Sequence, residues 1–404
     1  MKKTIKDFVL KNKRVIIRCD FNVPIIDGKI IDNTRIKKSL ETIKYAVRNN
    51  AKVILLSHLG KIKTSDDKAK NDMYIVYQEL VKLMKKKIKF VNDTCGEEVN
   101  NAVNNLKNGQ ILLLQNTRYE DLNGMRESNC DLELASYWAS LGDIFINDAF
   151  GTIHRRHASN YGISKYLESG VGFLIEEELK SMLPTIENPD HPFVVVLGGS
   201  KVSDKIKVIE NLVTKADYIL IGGGMCNTFL LSEGYNMGLS LIDKDNIDFC
   251  KNILSKYSDK IILPIDFVVS SEFKDVKGEY RDISDFNDSD IALDIGPKTI
   301  DIFNEYIKKA ESIIWNGPMG VFEFKNYQNG TKSIALSISE NIGTTIVGGG
   351  DSVAAIQMFK LESKFSHVST GGGASLKLLE GEKLPGLENI KDVQEYNILK
   401  KKLS

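Results

Sequence analysis

The sequence predicts a doubly wound α/β protein of two lobes, and three observations carry that prediction. Short runs rich in Val, Ile and Leu alternate with stretches whose apolar residues recur at helical spacing. The runs are nearly continuous rather than alternating, the mark of parallel strands covered on both faces. At 404 residues, the chain also exceeds what one hydrophobic core comfortably organises.

In chain order the strands are RVIIRC (14–19), KVILLS (52–57), QILLLQ (110–115) and DIFIND (143–148). FVVVLG (193–198), YILIGG (218–223), KIILP (260–264), SIIWNG (312–317) and TTIVGG (344–349) follow. Between them, TRIKKSLETIKYAVRN (34–49) and VSDKIKVIENLVTKA (202–216) read as helices. FLIEEELKSMLPTIENPDHP (173–192) reads as a helix with a charged face, broken by Pro184 and followed by Pro189 and Pro192. A boundary between lobes is expected there, near 165–192. The halves differ in chemistry: eight of nine arginines precede residue 157, whereas the Gly-Gly and Gly-Gly-Gly loops follow residue 197. The polar, lysine-rich end KDVQEYNILKKKLS reads as a frayed helix.

Composition excludes several classes. With 54 basic and 54 acidic residues there is no net field to hold nucleic acid or an anionic membrane. The five scattered cysteines form no CxxC spacing, which argues for reduced thiols. No apolar run approaches the roughly 20 residues of a membrane span, and charges interrupt the N-terminus before a signal core forms. A cytoplasmic protein without membrane or nucleic-acid partners is expected.

Ligands of doubly wound sheets bind beyond the C-terminal ends of the strands. The unusual residues fall at those ends. RCDFNVP closes the first strand with Arg18, Asp20 and Asn22 at alternate positions, pointing one way if the chain stays extended. Arg35 opens the following helix, whose N-terminus favours anions. SHLGK supplies His58 and Lys61, and QNTRYE supplies Arg118. INDAFGTIHRRHASN (146–160) places two of five histidines and two of nine arginines in four consecutive positions, including Arg155. A metal site, an acid–base device and an anion pocket compete for that cluster. Arginines would repel a metal ion, and the possible nucleophiles, Ser57 and Ser159, have nothing in the sequence to support them. Guanidinium forks match phosphate and carboxylate bidentately, so an anion pocket is favoured.

The second half repeats a different device. FVVVLGGSKVSDKIKVIENL is strand, Gly-Gly turn and helix, with Gly199 in the turn and Lys201 and Lys205 four apart on one helical face. IGGGM (with Gly223), VGGGDSVAA (with Gly349, Gly350, Asp351 and Ser352) and STGGGASLKLLEG (with Gly372 and Gly373) repeat it. Neither a Walker loop nor G-x-G-x-x-G is present. Asp351 beside a phosphate-binding turn implies Mg²⁺, or alternatively an N-cap for the helix that follows. NGPMGVFE holds Asn316 and Glu323 around a turn, and Glu323 would accept from ribose hydroxyls. DIGPKT carries Gly296 at another strand end. An anion lobe facing a Mg-nucleotide lobe points to phosphoryl transfer, which needs mainly charge neutralisation and positioning.

RCDFNVP, SHLG, INDAFGTIHRRHAS, VVVLGGSKVSDKI, IGGGM, DIGPKT, WNGPMGVFE, GGGDS and SHVSTGGGASLKLLEG, in this order over residues 10–388, resemble the signature motifs of the phosphoglycerate kinase family. The resemblance implies two Rossmann-like lobes joined by an interdomain helix and hinge. They would be a phosphoglycerate domain (1–170, with 385–404 packing back on it), a linker (171–190) and a Mg-nucleotide domain (191–384). It implies reversible transfer from 1,3-bisphosphoglycerate to Mg-ADP, giving 3-phosphoglycerate and ATP, by a monomer. Asp20, Asn22, Arg35, His58, Lys61, Arg118 and Arg155 fall on substrate positions. Gly199, Lys201, Lys205, Gly223, Gly296, Asn316, Glu323, Gly349, Gly350, Asp351 and Ser352 fall on nucleotide positions, with Asp351 on the metal. Arg35, Lys201, Gly372 and Gly373 would steady the transferred phosphoryl group.

Two positions depart from the family's pattern. Lys61-Ile62 stands where Arg-Pro is usual, keeping charge but losing the fork. Gln115 stands where a glutamate is usual, removing a carboxylate that orients its neighbours. A working enzyme is still expected. An NAD-dependent oxidoreductase lacks its fingerprint here, a hinge-type solute-binding protein lacks an export signal, and a non-catalytic scaffold would not need Lys201, Arg35 and Asp351.

Overall fold

The computed structural model describes residues 1–393. They divide into two compact units, Met1–Lys180 with the segment from Lys383, and Ser181–Glu382. Each unit is built on a six-stranded parallel sheet, as the continuous apolar runs predict. In the first, the order is Lys89–Phe90, Ile111–Leu113, Lys52–Leu56, Arg14–Cys19, Ile144–Asp148, Ser169–Val171. In the second, it is Ile261–Ile262, Tyr218–Ile221, Phe193–Leu197, Ser312–Asn316, Thr344–Gly348, His367–Val368. The central strands are buried along their whole length, Ile144–Asp148 and Phe193–Leu197 among them. Helices supply the cover: Thr34–Arg48 buries Ile36, Ser39, Thr42, Ile43 and Ala46, a stripe at three- and four-residue spacing.

Strand order decides where ligands can sit. The second sheet starts in its middle, at Phe193–Leu197, grows one way through Tyr218–Ile221, then reverses to Ser312–Asn316. Loops leaving the two strands on either side of such a reversal diverge and open a crevice. The first sheet reverses likewise between Arg14–Cys19 and Ile144–Asp148. The loops of RCDFNVP and INDAFG leave the first pair of strands and those of LGGSK and WNGPMG the second, while the other motif loops leave further strands of the same two sheets.

Three expectations need correction. The helix Phe173–Glu187 runs through Pro184 rather than breaking there. Proline in a helix interior costs about 3 kcal/mol. Here Met182, Thr185 and Ile186 are buried on the turn around it, which holds the last turn in place. The stretch 202–216 is a 3₁₀ turn, Val202–Asp204, followed by an α-helix only over Ile206–Leu212. And the second unit carries a three-stranded antiparallel sheet, Glu279–Asp282, Asp266–Ser270 and Ile291–Ile295, of which only the DIGPKT end is expected from sequence. Beyond Val393, the lysine-rich tail lies outside the described residues. From Lys383 the chain lies in the first unit: the Gly386 N–H donates to the Ile153 carbonyl at 2.9 Å, and the Lys3 N–H to the Lys391 carbonyl at 2.8 Å. No helix among the described residues is long and apolar enough to cross a membrane.

Candidate active site

In the first unit, the loops leaving four strands knot together. Asp20, just past Cys19, is buried and accepts from Arg35 Nη1 at 3.1 and 2.9 Å through its two oxygens. Asn22 Oδ1 accepts from the Gly60 N–H at 2.8 Å, and Arg118 Nη1 donates to the Gly60 carbonyl at 2.8 Å. His58 is buried beside Arg18, with Nδ1 3.2 Å from Nη2. Arg155 is exposed and donates from Nε to His154 Nε2 at 3.3 Å. Lys61 is exposed and bonds to none of the described side chains.

The electrostatics of this knot favour an anion. Burial, then Arg18 and Arg118, hold His58 well below its ordinary range. Burial, then Arg18, Arg118 and Arg155, hold His157 down at about 3. Burial and Arg155 also lower Arg118, whose Nε is buried without a partner. Like charges thus crowd a largely desolvated space, and His157 Nδ1 has no partner there either. Arg156 is drawn away from the cluster, donating to Tyr161 Oη at 2.8 Å and to Glu388 at 2.8 and 3.1 Å.

Several residues of this site were not singled out from sequence. Gly151 is one: a Cβ there would lie 2.3 Å from Asp20 Oδ2, so only glycine leaves the Asp20–Arg35 pair intact. Glu127 is another; it is fully buried beside Arg18, as is Ser159, which the sequence offers only as an unsupported nucleophile. Glu127 sits in a loop, GMRESNC, with no motif to flag it.

In the second unit, a polar cavity of about 270 Å³ opens beyond the strand ends at the reversal. Gly198–Lys201, Asp204, Lys205, Asn316 and the N-termini of the helices Gly350–Met358 and Gly372–Leu379 line it. Those two helix starts aim unpaired backbone N–H groups and partial positive charge into one space. Gly199 has φ +108°, a region only glycine enters readily, and its N–H reaches the Pro318 carbonyl at 3.1 Å. Lys205 Nζ bonds Asn316 Oδ1, and the Asn316 amide nitrogen is buried without a partner. Burial pulls the Lys205 ammonium down while Asp204 and Asp351 pull it up. An adjoining cavity of about 490 Å³ has apolar walls from Leu239, Phe267 and Val321, with Gly223, Glu323 and Asp351 at its margin. A polar cavity beside an apolar slot suits a ligand with phosphates at one end and a flat ring at the other.

Not every predicted residue falls in place for the predicted reason. Lys201 and Lys205 do not share a helical face, because the α-helix starts only at Ile206; they meet at the cavity through the 3₁₀ turn. Asp351 is not an N-cap: Gly349 holds that position and Asp351 lies in the first turn. Ser352 Oγ accepts from the Gly317 N–H at 2.6 Å, bracing the Asn316 turn. Gly296 lines neither cavity; its α-carbon packs against the Asp266 carboxylate, where a Cβ would lie 2.3 Å away.

The family model described as phosphoglycerate kinase matches residues 5–382. The chain belongs to the phosphoglycerate kinase family. It is 52% identical over 395 residues to the phosphoglycerate kinase of Fusobacterium nucleatum, covering 96% of this chain and 99% of that one. It is 52% identical over 394 residues to that of Enterococcus faecalis, covering 97% and 99%. The solved structure of phosphoglycerate kinase from Coxiella burnetii superposes with a TM-score of 0.88 at 36% identity, covering 96% and 98%. The chain is therefore an enzyme of this family, a phosphotransferase of glycolysis.

Phosphoglycerate kinases act on nucleotides, which generally travel with Mg²⁺. Among the described residues no three His, Cys, Asp or Glu converge on one point. That rules against an all-protein cage and fits Mg²⁺, which prefers one or two carboxylates plus substrate phosphates. Asp351, exposed at the rim of both cavities, and Asp204, which lines the polar one, are the carboxylates of that cavity.

Proposed function

We propose that this enzyme reversibly transfers the acyl phosphate of 1,3-bisphosphoglycerate to Mg-ADP, giving 3-phosphoglycerate and ATP. One observation carries the reading. Lys201, Lys205, Asp351 and two helix N-termini share one polar cavity, in a chain whose other unit holds a desolvated cluster of Arg and His.

Asp20, Asn22, Arg35, His58, Lys61, Arg118 and Arg155 hold the phosphoglycerate. Gly199, Gly223, Asn316, Glu323 and the Gly349–Ser352 loop hold the nucleotide. Asp351 would hold Mg²⁺ together with phosphate oxygens, and the ion when bound would neutralise charge on the nucleotide phosphates. No general base is required, since the accepting carboxylate and the ADP phosphate are ionised at neutral pH. Arg35 and Lys201 flank the moving phosphoryl group, and the backbone N–H groups of Gly372 and Gly373 meet the charge that develops on it. Closure about the hinge brings the two substrates into line and excludes water, which would otherwise hydrolyse the acyl phosphate. Free thiols at all five cysteines support a reducing cytoplasm, and a monomer suffices for the reaction.

The test is phosphorylation of 3-phosphoglycerate by ATP, coupled to glyceraldehyde-3-phosphate dehydrogenase and followed as NADH loss. Turnover that requires Mg²⁺ and collapses in Asp351→Ala is expected. ATP binding without turnover would contradict the reading.

A further inference from the structure

Beneath the cationic pocket lies a buried polar network to which the proposed reaction assigns no task. Arg18 is completely enclosed at the end of its strand. Its Nε donates to Ser159 Oγ at 2.7 Å and its Nη1 to the Cys19 carbonyl at 2.5 Å. Glu127, equally buried, lies 3.8 Å from Nη2 and accepts from the Ser159 N–H at 2.9 Å and from the Ser159 hydroxyl. The guanidinium is thus fixed by three neighbours. Its remaining contact is Nη2 to His58 Nδ1, at 3.2 Å.

That contact settles where the imidazole proton resides. A guanidinium has five donors, no acceptor, and does not lose its charge in proteins. Nδ1 of His58 is therefore the acceptor, and a neutral ring with an accepting Nδ1 carries its hydrogen on Nε2. Turning the ring over would set a carbon–hydrogen against Arg18 and strand a buried charged donor. A doubly protonated ring would aim an N–H at an N–H, and burial with Arg18 and Arg118 nearby already disfavours it.

We propose that Arg18, braced by Glu127 and Ser159, is a positioning residue that fixes His58 as a neutral imidazole donating Nε2–H to the anionic ligand. The inference rests on the phosphoglycerate reading of this pocket. Arg35, Arg118 and Arg155 supply charge there, whereas His58 supplies direction without adding charge to a crowded cationic cluster. Direct ligand contact by Arg18 is not involved.

The experiment is long-range ¹H–¹⁵N spectroscopy of the histidine rings in the full-length enzyme at pH 7, with the His58 signals assigned by their loss in His58→Gln. The expected result is an unprotonated Nδ1 and a protonated Nε2, with the Nε2 signal moving on addition of 3-phosphoglycerate. In Arg18→Met the two tautomers should mix, and KM for 3-phosphoglycerate should rise roughly ten- to a hundredfold while KM for ATP holds. Arg18→Lys, which keeps a donor, should recover part of that loss. If Arg18→Met does not fold, the wild-type spectrum alone decides. A protonated Nδ1, or a doubly protonated ring, overturns the proposal. An Nε2 signal indifferent to 3-phosphoglycerate in an enzyme that turns over overturns the donor role and leaves the proposed function intact. Indifference without turnover removes both.

Discussion

Arg35 spends a single nitrogen, Nη1, on both carboxylate oxygens of Asp20, at 3.1 and 2.9 Å. Among the described residues its side chain makes no other hydrogen bond, which leaves Nη2 and Nε without a protein partner on a half-exposed side chain. The buried Asp20 carboxylate sets the angle of that fork, and Gly151 leaves the carboxylate room. Gly151→Ala should therefore push Asp20 aside and misaim Arg35. KM for 3-phosphoglycerate is expected to rise roughly tenfold, in keeping with one misplaced charge-assisted hydrogen bond, with KM for ATP unchanged. Steady-state kinetics at saturating second substrate check it; equal rises in both constants would point to general unfolding instead.

Lys201 is exposed at the mouth of the polar cavity, where a transferring phosphoryl group would need a counter-charge. Lys201→Ala should lower kcat by roughly 10²- to 10³-fold, the usual effect of deleting one transition-state donor. KM for ATP should change far less. A variant that keeps its kcat would remove Lys201 from the reaction.

Acid should weaken the first unit. His58 and His157 are neutral when folded, the latter held at about 3 against an ordinary 6.5, first by burial and then by Arg18, Arg118 and Arg155. Unfolded, both would protonate below 6.5. The unfolded chain thus binds more protons between about pH 3 and 6.5, and stability rises with pH across that window. The melting temperature should fall between pH 7 and pH 5, and His157→Gln should flatten the slope. Identical slopes for variant and wild type would contradict the assignment.

Gln115 is buried and uses its whole amide. Oε1 accepts from the N–H groups of Met73 and Asn116, both at 2.8 Å, and Nε2 donates to Asp72 Oδ1 at 2.7 Å and Asn92 Oδ1 at 2.8 Å. The amide therefore does the orienting that the sequence reading assigned to a missing carboxylate. Gln115→Glu would delete two donations and set a second carboxylate against Asp72. It should destabilise by about 1–3 kcal/mol, seen as a lower urea midpoint at unchanged slope. Unchanged stability would mean that Asp72 and Asn92 readily find other partners.

Most of this architecture was legible because parallel strands buried on both faces leave unbroken apolar runs, and Phe193–Leu197 is one. Strands as short as Lys89–Phe90 and His367–Val368 leave no such run. The antiparallel sheet was hidden because Glu279–Asp282 is half-exposed and acidic. Motif residues such as Asp20 and Asp351 were visible because chemistry fixes their type. Glu127 and Gly151 were not, and Ser159 was visible only as an unsupported nucleophile, because their roles depend on which distant side chain they meet: Arg18 for Glu127 and Ser159, Asp20 for Gly151. Gly296 shows the opposite error, a motif glycine whose task is to let a helix start close to Asp266.

If the anion pocket and the nucleotide cavity are two separable sites in different units of the chain, each should lose its own ligand alone. Calorimetric titration of Arg118→Ala and Lys205→Ala with 3-phosphoglycerate and, separately, with Mg-ADP tests it most directly. Arg118→Ala should weaken 3-phosphoglycerate roughly tenfold or more, and Lys205→Ala should do the same to Mg-ADP, each leaving the other ligand unchanged. If either variant weakened both ligands equally, or if 3-phosphoglycerate bound Arg118→Ala as tightly as wild type, the two-site assignment would be wrong.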